Sequence, residues 1–220
     1  MNKNFKKIIS FSLWGDNPKY TIGAIRNAEL TPMGWISRFY CGLSVPTEIV
    51  EKLKSLPHTE VIMMDVDGDW SGMFWRFFAC EDSDIMLSRD TDSRLSNREK
   101  LAVDEWLKSD KDFHIMRDHP YHTGEILGGM WGVRNGLLKN IRTIIDDYVK
   151  GNFWQVDQNF LREKIYPLVV NHSFIHDSYS YLNYNSNSKK FPSERINKEF
   201  IGDVFDENEN RHPEYFLQIY

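Results

Sequence analysis

Asp84-Ile85-Met86-Leu87-Ser88-Arg89-Asp90-Thr91-Asp92-Ser93-Arg94 is the stretch that decides the fold. Its first five residues read as a brief buried strand, the interval up to Ser96 is polar, and a helix follows. Ser96 and Glu99 have the spacing of a capping box, and Ala102, Val103, Trp106 and Leu107 then share one apolar helical face. Asp90 and Asp92 are thereby placed at the carboxyl end of a strand, the edge where open α/β sheets bind ligands. Two carboxylates one residue apart on a turn can face one hard cation, and Mg²⁺ or Mn²⁺ held in this way keeps positions free for phosphate oxygens. The bare pattern carries no weight, because Asp-x-Asp recurs at Asp65/Asp67, Asp67/Asp69, Asp82/Asp84 and Asp110/Asp112. A solvated acidic loop is the bland alternative.

Upstream, Lys7 to Trp14 reads as a strand ending in the turn Trp14-Gly15-Asp16-Asn17-Pro18, whose glycine lets a ligand approach the backbone. Tyr20 to Leu30 reads as a helix and Ser37 to Cys41 as a second strand. Pro46 introduces a helix over Glu48 to Leu56 with Ile49, Val50 and Leu53 on one face, and Thr59 to Met64 is a third strand. Strand, helix, strand in repetition predicts an α/β protein with a mostly parallel central sheet flanked by helices. The turn Asp65 to Asp69 is not a calcium-binding EF-hand, because Trp70 and Arg76 stand where that loop needs glycine and glutamate. Trp70 to Phe78 forms a short aromatic helix carrying Arg76.

Downstream, Asn135 to Val149 and Asp157 to Lys164 read as helices and Val169 to Ile175 as a strand running to His176 and Asp177. Ser178 to Lys190 is polar and low in complexity, which suggests a mobile loop of the kind that closes over sites. Asp118, His119 and His122 do not make a zinc protease motif, since Pro120 breaks the helical spacing and no Glu follows the first His. Arg117, His119 and His122 can instead contact a phosphate or an acceptor hydroxyl, and a structural role for the histidines stays open. Gly128-Gly129-Met130-Trp131-Gly132 lacks the lysine of a phosphate loop and the spacing of a dinucleotide fingerprint. It is either a surface a sugar ring approaches closely or a tight turn. His176 can join Asp90 and Asp92 as a third ligand, a set that suits Mn²⁺, or can be a satisfied structural histidine. Asp157 can be a plain helix cap.

At 220 residues, 41% of them hydrophobic, the chain is expected to form one domain over residues 1–220. A net charge of −5 with scattered Lys and Arg opposes a non-specific nucleic-acid binder. Two cysteines fit no metal spacing or disulfide framework, and no segment approaches the roughly 20 apolar residues that span a bilayer, so a cytoplasmic location is expected. Seven Trp, ten Tyr and fourteen Phe favour a protein that stacks on sugars, bases or aromatic partners.

Taken in order, Phe11 to Gly15, Phe74 to Phe77, Ser88 to Arg94, Met116 to Pro120, Gly128 to Gly132, Asp157 to Leu161 and His176 to Ser178 resemble the nucleotide-sugar glycosyltransferases of the GT-A (Rossmann-like) fold. The resemblance extends to the small algal-virus enzymes that decorate the major capsid protein. More distantly it extends to the retaining glycogenin and lipopolysaccharide galactosyltransferase family. It implies transfer of a hexose or deoxyhexose from a UDP-sugar to a glycan or glycoprotein acceptor, in the host cytoplasm if the source is viral. By position it implies Mn²⁺ or Mg²⁺ on Asp90, Asp92 and His176, with Arg76, Asp157 and Gln158 holding the donor sugar. Ser12, Leu13 and Trp14 would line the nucleotide site, Asp65 would lie near the base or ribose, and Gly129 would stand in a donor loop where the family has an asparagine. Retention of configuration would use Asp157 to stabilise the cationic anomeric carbon, whereas inversion would need a base, Asp118 or His119. A metal-dependent nucleotidyltransferase or phosphohydrolase, or a non-catalytic carbohydrate-binding module, are the competing readings.

Overall fold

Lys7–Leu13 forms β1, and six of its seven residues are buried. Its side chains divide by parity: Ile8 enters one hydrophobic cluster, while Ile9, Phe11 and Leu13 enter another. A strand buried on both faces belongs inside a sheet covered by helices on both sides. The computed structural model describes residues 5–148, 151–180 and 187–219 and has that architecture. After β1 come α1 (Pro18–Glu29), β2 (Ile36–Cys41), α2 (Thr47–Ser55), β3 (Thr59–Met63) and a 3-10 segment, Trp70–Cys80. Then follow β4 (Ile85–Ser88), α3 (Asn97–Leu107), β5 (Phe113–Arg117), β6 (Trp131–Arg134), α4 (Ile141–Asp146), α5 (Val156–Phe160) and β7 (Ser173–Asp177).

The seven strands form one sheet in the order β3-β2-β1-β4-β6-β5-β7, parallel except for β6, which runs antiparallel to both neighbours. Residues of α1, α2 and α3, among them Ala24, Val50, Leu53, Val103 and Trp106, pack on one face. The 3-10 segment, α4 and α5 cover the other through Phe74, Phe77, Ile141 and Phe160. The α/β reading and the mostly parallel sheet therefore hold. Among the described residues no helix is long and apolar enough to cross a membrane.

The later elements depart from the sequence reading. β6 starts in what reads as a glycine-rich loop, and its Gly132 lies so close to Leu87 that a Cβ there would collide with that side chain and crowd the Met86 carbonyl. The helix expected from Asn135 starts at Ile141, because Asn135 and Gly136 take positive φ (57° and 73°) and turn the chain first; Val149 lies outside the described residues. The strand expected from Val169 starts at Ser173, since Tyr166–Val169 and Val170–His172 continue as helical turns. Within the expected mobile loop, residues 181–186 lie outside the described residues. The Lys189 backbone exchanges hydrogen bonds with Asp177 N and Ile175 O, both at 2.8 Å.

Candidate active site

The cleft opens at the carboxyl ends of β1 and β4. It encloses about 490 Å³ and is floored by Ser12, Leu13, Arg76, Asp90, Asp92 and Asp157. Ser12 sets one wall: its hydroxyl accepts from Arg76 N at 2.9 Å, which ties the 3-10 segment to the end of β1. The buried Arg76 guanidinium then reaches between two carboxylates. Its Nη1 donates to Asp90 Oδ1 at 2.5 Å and its Nη2 to Asp157 Oδ2 at 2.7 Å.

Two glycines allow this. A Cβ on Gly128 would run into Arg76 Nη2 and Asp157 Oδ2, and one on Gly129 into Asp90 Oδ2, so only backbone can pass behind the charged cluster. Ser88 holds the segment in place by donating its hydroxyl to Gly128 O at 2.7 Å. Gly129 itself does not line the cleft; it backs Asp90.

The turn carrying Asp90 and Asp92 is organised by a residue that sequence reasoning did not single out. Asn27, fully buried in α1, donates to the carbonyls of Gly23, Thr91 and Ser93 and accepts from Leu95 N at 3.0 Å. Gly23 lets α1 press against Thr91 O. Arg89, buried, locks the exit of β4 by donating to Glu99 Oε1 (2.5 Å) and to the Ser88 and Trp131 carbonyls. Ser96 caps α3 through Glu99 N as the sequence suggests, but the Glu99 carboxylate serves Arg89 instead of closing a capping box.

Electrostatics single out two carboxyls. Burial raises the Asp92 pKa and the neighbouring Asp90 charge raises it further, while Lys19 Nζ, 2.8 Å from Asp92 Oδ2, opposes the shift. Burial likewise raises the Asp157 pKa against the influence of Arg76, and Asp157 Oδ1 is buried without a hydrogen bond. Tyr20, Trp70, Trp154 and the late residues Gly202 and Val204 also line the cleft, and no motif announced them or Lys19, which reaches the cleft carboxylate Asp92. Their one local signal was the turn Gly15-Asp16-Asn17 ahead of α1, which Asn17 caps through Lys19 N at 3.0 Å.

Four expected site residues lie elsewhere. His176 sits in β7, separated from β4 by β6 and β5. Both its nitrogens are engaged, Nδ1 with His114 Nε2 at 2.8 Å and Nε2 with Glu105 Oε2 at 3.1 Å. It does not join Asp90 and Asp92, and among the described residues no three His, Cys, Asp or Glu side chains are grouped to hold a metal ion. Asp118 is fully buried as an anchor, accepting from Arg98, Arg195, Ser178 and Ile201 N, so it has no oxygen left for a proton transfer. His119 accepts from Tyr121 N at Nδ1 (3.0 Å) and meets Tyr215 O at Nε2 (2.9 Å), while burial lowers its pKa. His122 is a further structural imidazole, accepting from Asp118 N at 3.1 Å and pushed down to about 3 by burial. Asp65 is exposed at the exit of edge strand β3 and does not line the cleft; Trp70 does.

Asp203, between Gly202 and Val204, is buried against Arg211 with Oδ1 unpartnered, and burial raises its pKa to about 6. A raised folded-state pKa contributes stability below the unfolded value, about 3.9, and loses it as pH rises through about 6. Asp203→Asn removes that loss. The difference in Tm between variant and wild type is expected to grow by about 2–4 °C from pH 4.5 to pH 7.5, for about 1 kcal/mol after solvent screening. A flat difference in thermal scans across that range would contradict the assignment.

No family model matches the chain, and no curated protein matches it. Solved structures do. S. aureus TarS 1-349 superposes with a TM-score of 0.53 at 13% identity over 79% of this chain, which spans 58% of that one. Glucosyl-3-phosphoglycerate synthase from Mycobacterium tuberculosis, in complex with Mn²⁺, UDP and phosphoglyceric acid, superposes with a TM-score of 0.51 at 11% identity, covering 87% of this chain and 72% of the other. A glycosyltransferase involved in the glycosylation of the major capsid of PBCV-1 reaches 17% identity over 79% of this chain and 82% of its own, at a TM-score of 0.48. At such identities the likeness establishes architecture alone, and together with the strand order it shows that the chain has the Rossmann-like α/β fold called GT-A.

Proposed function

We propose that the protein is a metal-dependent glycosyltransferase that moves a sugar from a UDP-sugar donor to a glycan or glycoprotein acceptor. One observation carries the reading: a single cleft at the carboxyl edge of the sheet brings Asp90, Asp92 and Asp157 together around Arg76. The fold is shared with an enzyme solved with Mn²⁺ and UDP, which supports the choice of donor.

The residues present fit a divalent cation. Asp90 and Asp92 supply hard oxygen donors on one turn, and their mutual repulsion, which helps raise the Asp92 pKa, is the charge a cation would relieve. Asp90 and Asp92 would be the residues that hold it, leaving room for the donor diphosphate. A cation held there would neutralise the charge that builds on the leaving diphosphate.

The other residues act on the sugar and the nucleotide. Ser12 to Trp14 and Trp70 offer the wall for the nucleoside. Arg76 fixes Asp157, the carboxylate assigned to stabilise a cationic anomeric carbon, and the Gln158 amide can both donate to and accept from sugar hydroxyls. Retention is the stereochemical reading and rests on the resemblance alone. With Asp118 and His119 committed to structural bonds, inversion would also call on Asp157. Substitution of Asp157 therefore does not separate the two outcomes, whereas the anomeric configuration of the product by NMR does.

The acceptor side is marked by Trp154, 64% exposed on the cleft rim just before Gln155, which takes a left-handed φ of 68°. An indole held open to solvent beside a sugar-binding carboxylate suits stacking on an acceptor pyranose. Trp154→Ala is expected to raise the acceptor KM about three- to tenfold while leaving UDP-sugar affinity unchanged. Equal losses for donor and acceptor would remove it from the acceptor side.

The proposal is tested by incubating the protein with a panel of UDP-sugars, Mn²⁺ and an oligosaccharide array, and reading sugar-bearing products by mass spectrometry. Acceptor-dependent gain of one sugar mass is expected. Phosphate or nucleotide release without any glycosylated product would point to a phosphohydrolase instead.

A further inference from the structure

Lys19 pairs with Asp92, a carboxylate that lines the cleft, and the catalytic reading leaves this ammonium without a task. It stands in the first turn of α1, the 12-residue helix whose Asn17 cap also borders the cleft. Its Nζ lies 2.8 Å from Asp92 Oδ2, and both side chains are largely shielded, with 31% and 19% of their surface exposed. The same carboxylate therefore has two claimants, the ammonium and the cation assigned to it.

Resting on the metal reading, the geometry points to Lys19 as a resident counter-ion of Asp92 that couples cation binding to nucleotide binding. Before the donor arrives, the ammonium neutralises Asp92 and opposes a second positive charge beside it. A diphosphate entering at the α1 N-terminus supplies the anion that Lys19 needs once Asp92 turns to the cation, and the helix end favours that anion as well. The cation thus binds weakly alone and tightly with the nucleotide. Binding of the two ligands is linked by the same factor in both directions.

Manganese affinity, measured by electron paramagnetic resonance with and without UDP, tests the coupling in wild type, Lys19→Met, Lys19→Arg and Asp92→Asn. For wild type, UDP is expected to tighten Mn²⁺ binding about tenfold or more. Lys19→Met is expected to bind Mn²⁺ about tenfold tighter without UDP and to gain less than about threefold from it, whereas Lys19→Arg keeps the wild-type pattern. If Lys19→Met matches wild type in both conditions while Asp92→Asn loses Mn²⁺, the role of Lys19 is overturned and the metal reading stands. If wild type and Asp92→Asn bind Mn²⁺ alike, or not at all, with UDP present, the metal reading itself fails and this inference with it.

Discussion

Asp92→Asn is expected to lower glycosyl transfer at least about a thousandfold while leaving the fold intact. The substitution keeps the side-chain volume and removes the charge that a cation requires. Asp92 is the cleaner choice than Asp90, because Asp90 also accepts from Arg76 and its loss would disturb a buried cluster. The partner that Asp92 leaves behind, Lys19, keeps 31% of its side chain exposed and can be satisfied by water. Circular dichroism and Tm should therefore match wild type. Retained activity in Asp92→Asn at saturating Mn²⁺ would remove the carboxylate from the reaction.

Arg76→Met is expected to damage both stability and activity. The guanidinium is buried and pairs with Asp157, which is fully buried, and with Asp90. Removing one partner of a buried ion pair typically costs about 3–5 kcal/mol, because the remaining charge has no compensation. For a chain of this size that corresponds to a fall in Tm of roughly 10 °C. A second substitution, Asp157→Asn, removes the stranded charge, so the double variant should recover a large part of the lost stability and none of the activity. If the double variant were as unstable as Arg76→Met, the packing of Arg76 and not its charge would be what the cluster depends on. Arg76→Lys should not rescue activity, since one ammonium cannot reproduce the two-carboxylate bridge of the guanidinium.

The half of the fold that was legible in the sequence is the half with local signals. β1, α1, β2, α2 and β3 each combine an apolar pattern with a turn or cap, and the strand ahead of Asp90 is bounded by a polar interval and the Ser96 cap. The second half hides its strands. β6 is four residues long with a glycine at its centre, and what makes Gly132 a strand residue is contact with Leu87 and Met86 some 45 positions away. β7 follows helical turns without a break in composition, which displaced its start to Ser173.

The site divides in the same way. Asp90 and Asp92 could be nominated from their place at the end of a strand, whereas Arg76, Asp157 and Gln158 entered only as what the resemblance implies. His176 could not be excluded in that way, because sequence position does not reveal that β6 and β5 lie between β7 and β4. Asp118 and His119 fail for a related reason: their partners, Arg98, Arg195 and Tyr215, come from segments that only the folded chain brings together. Lys19 and Asn27 were invisible for the opposite reason. Each is an ordinary helix residue until α1 packs against the Asp90 turn, where one pairs with Asp92 and the other ties the turn's carbonyls.

The central claim is that Asp90 and Asp92 recruit a cation that holds the donor diphosphate, and calorimetric titration of UDP-sugars tests it most directly. Wild type should bind one of a panel of UDP-sugars with Mn²⁺ and lose that binding when the metal is chelated, and Asp92→Asn should bind none of them under either condition. Equal binding with and without Mn²⁺, or no binding to any nucleotide, would contradict the account.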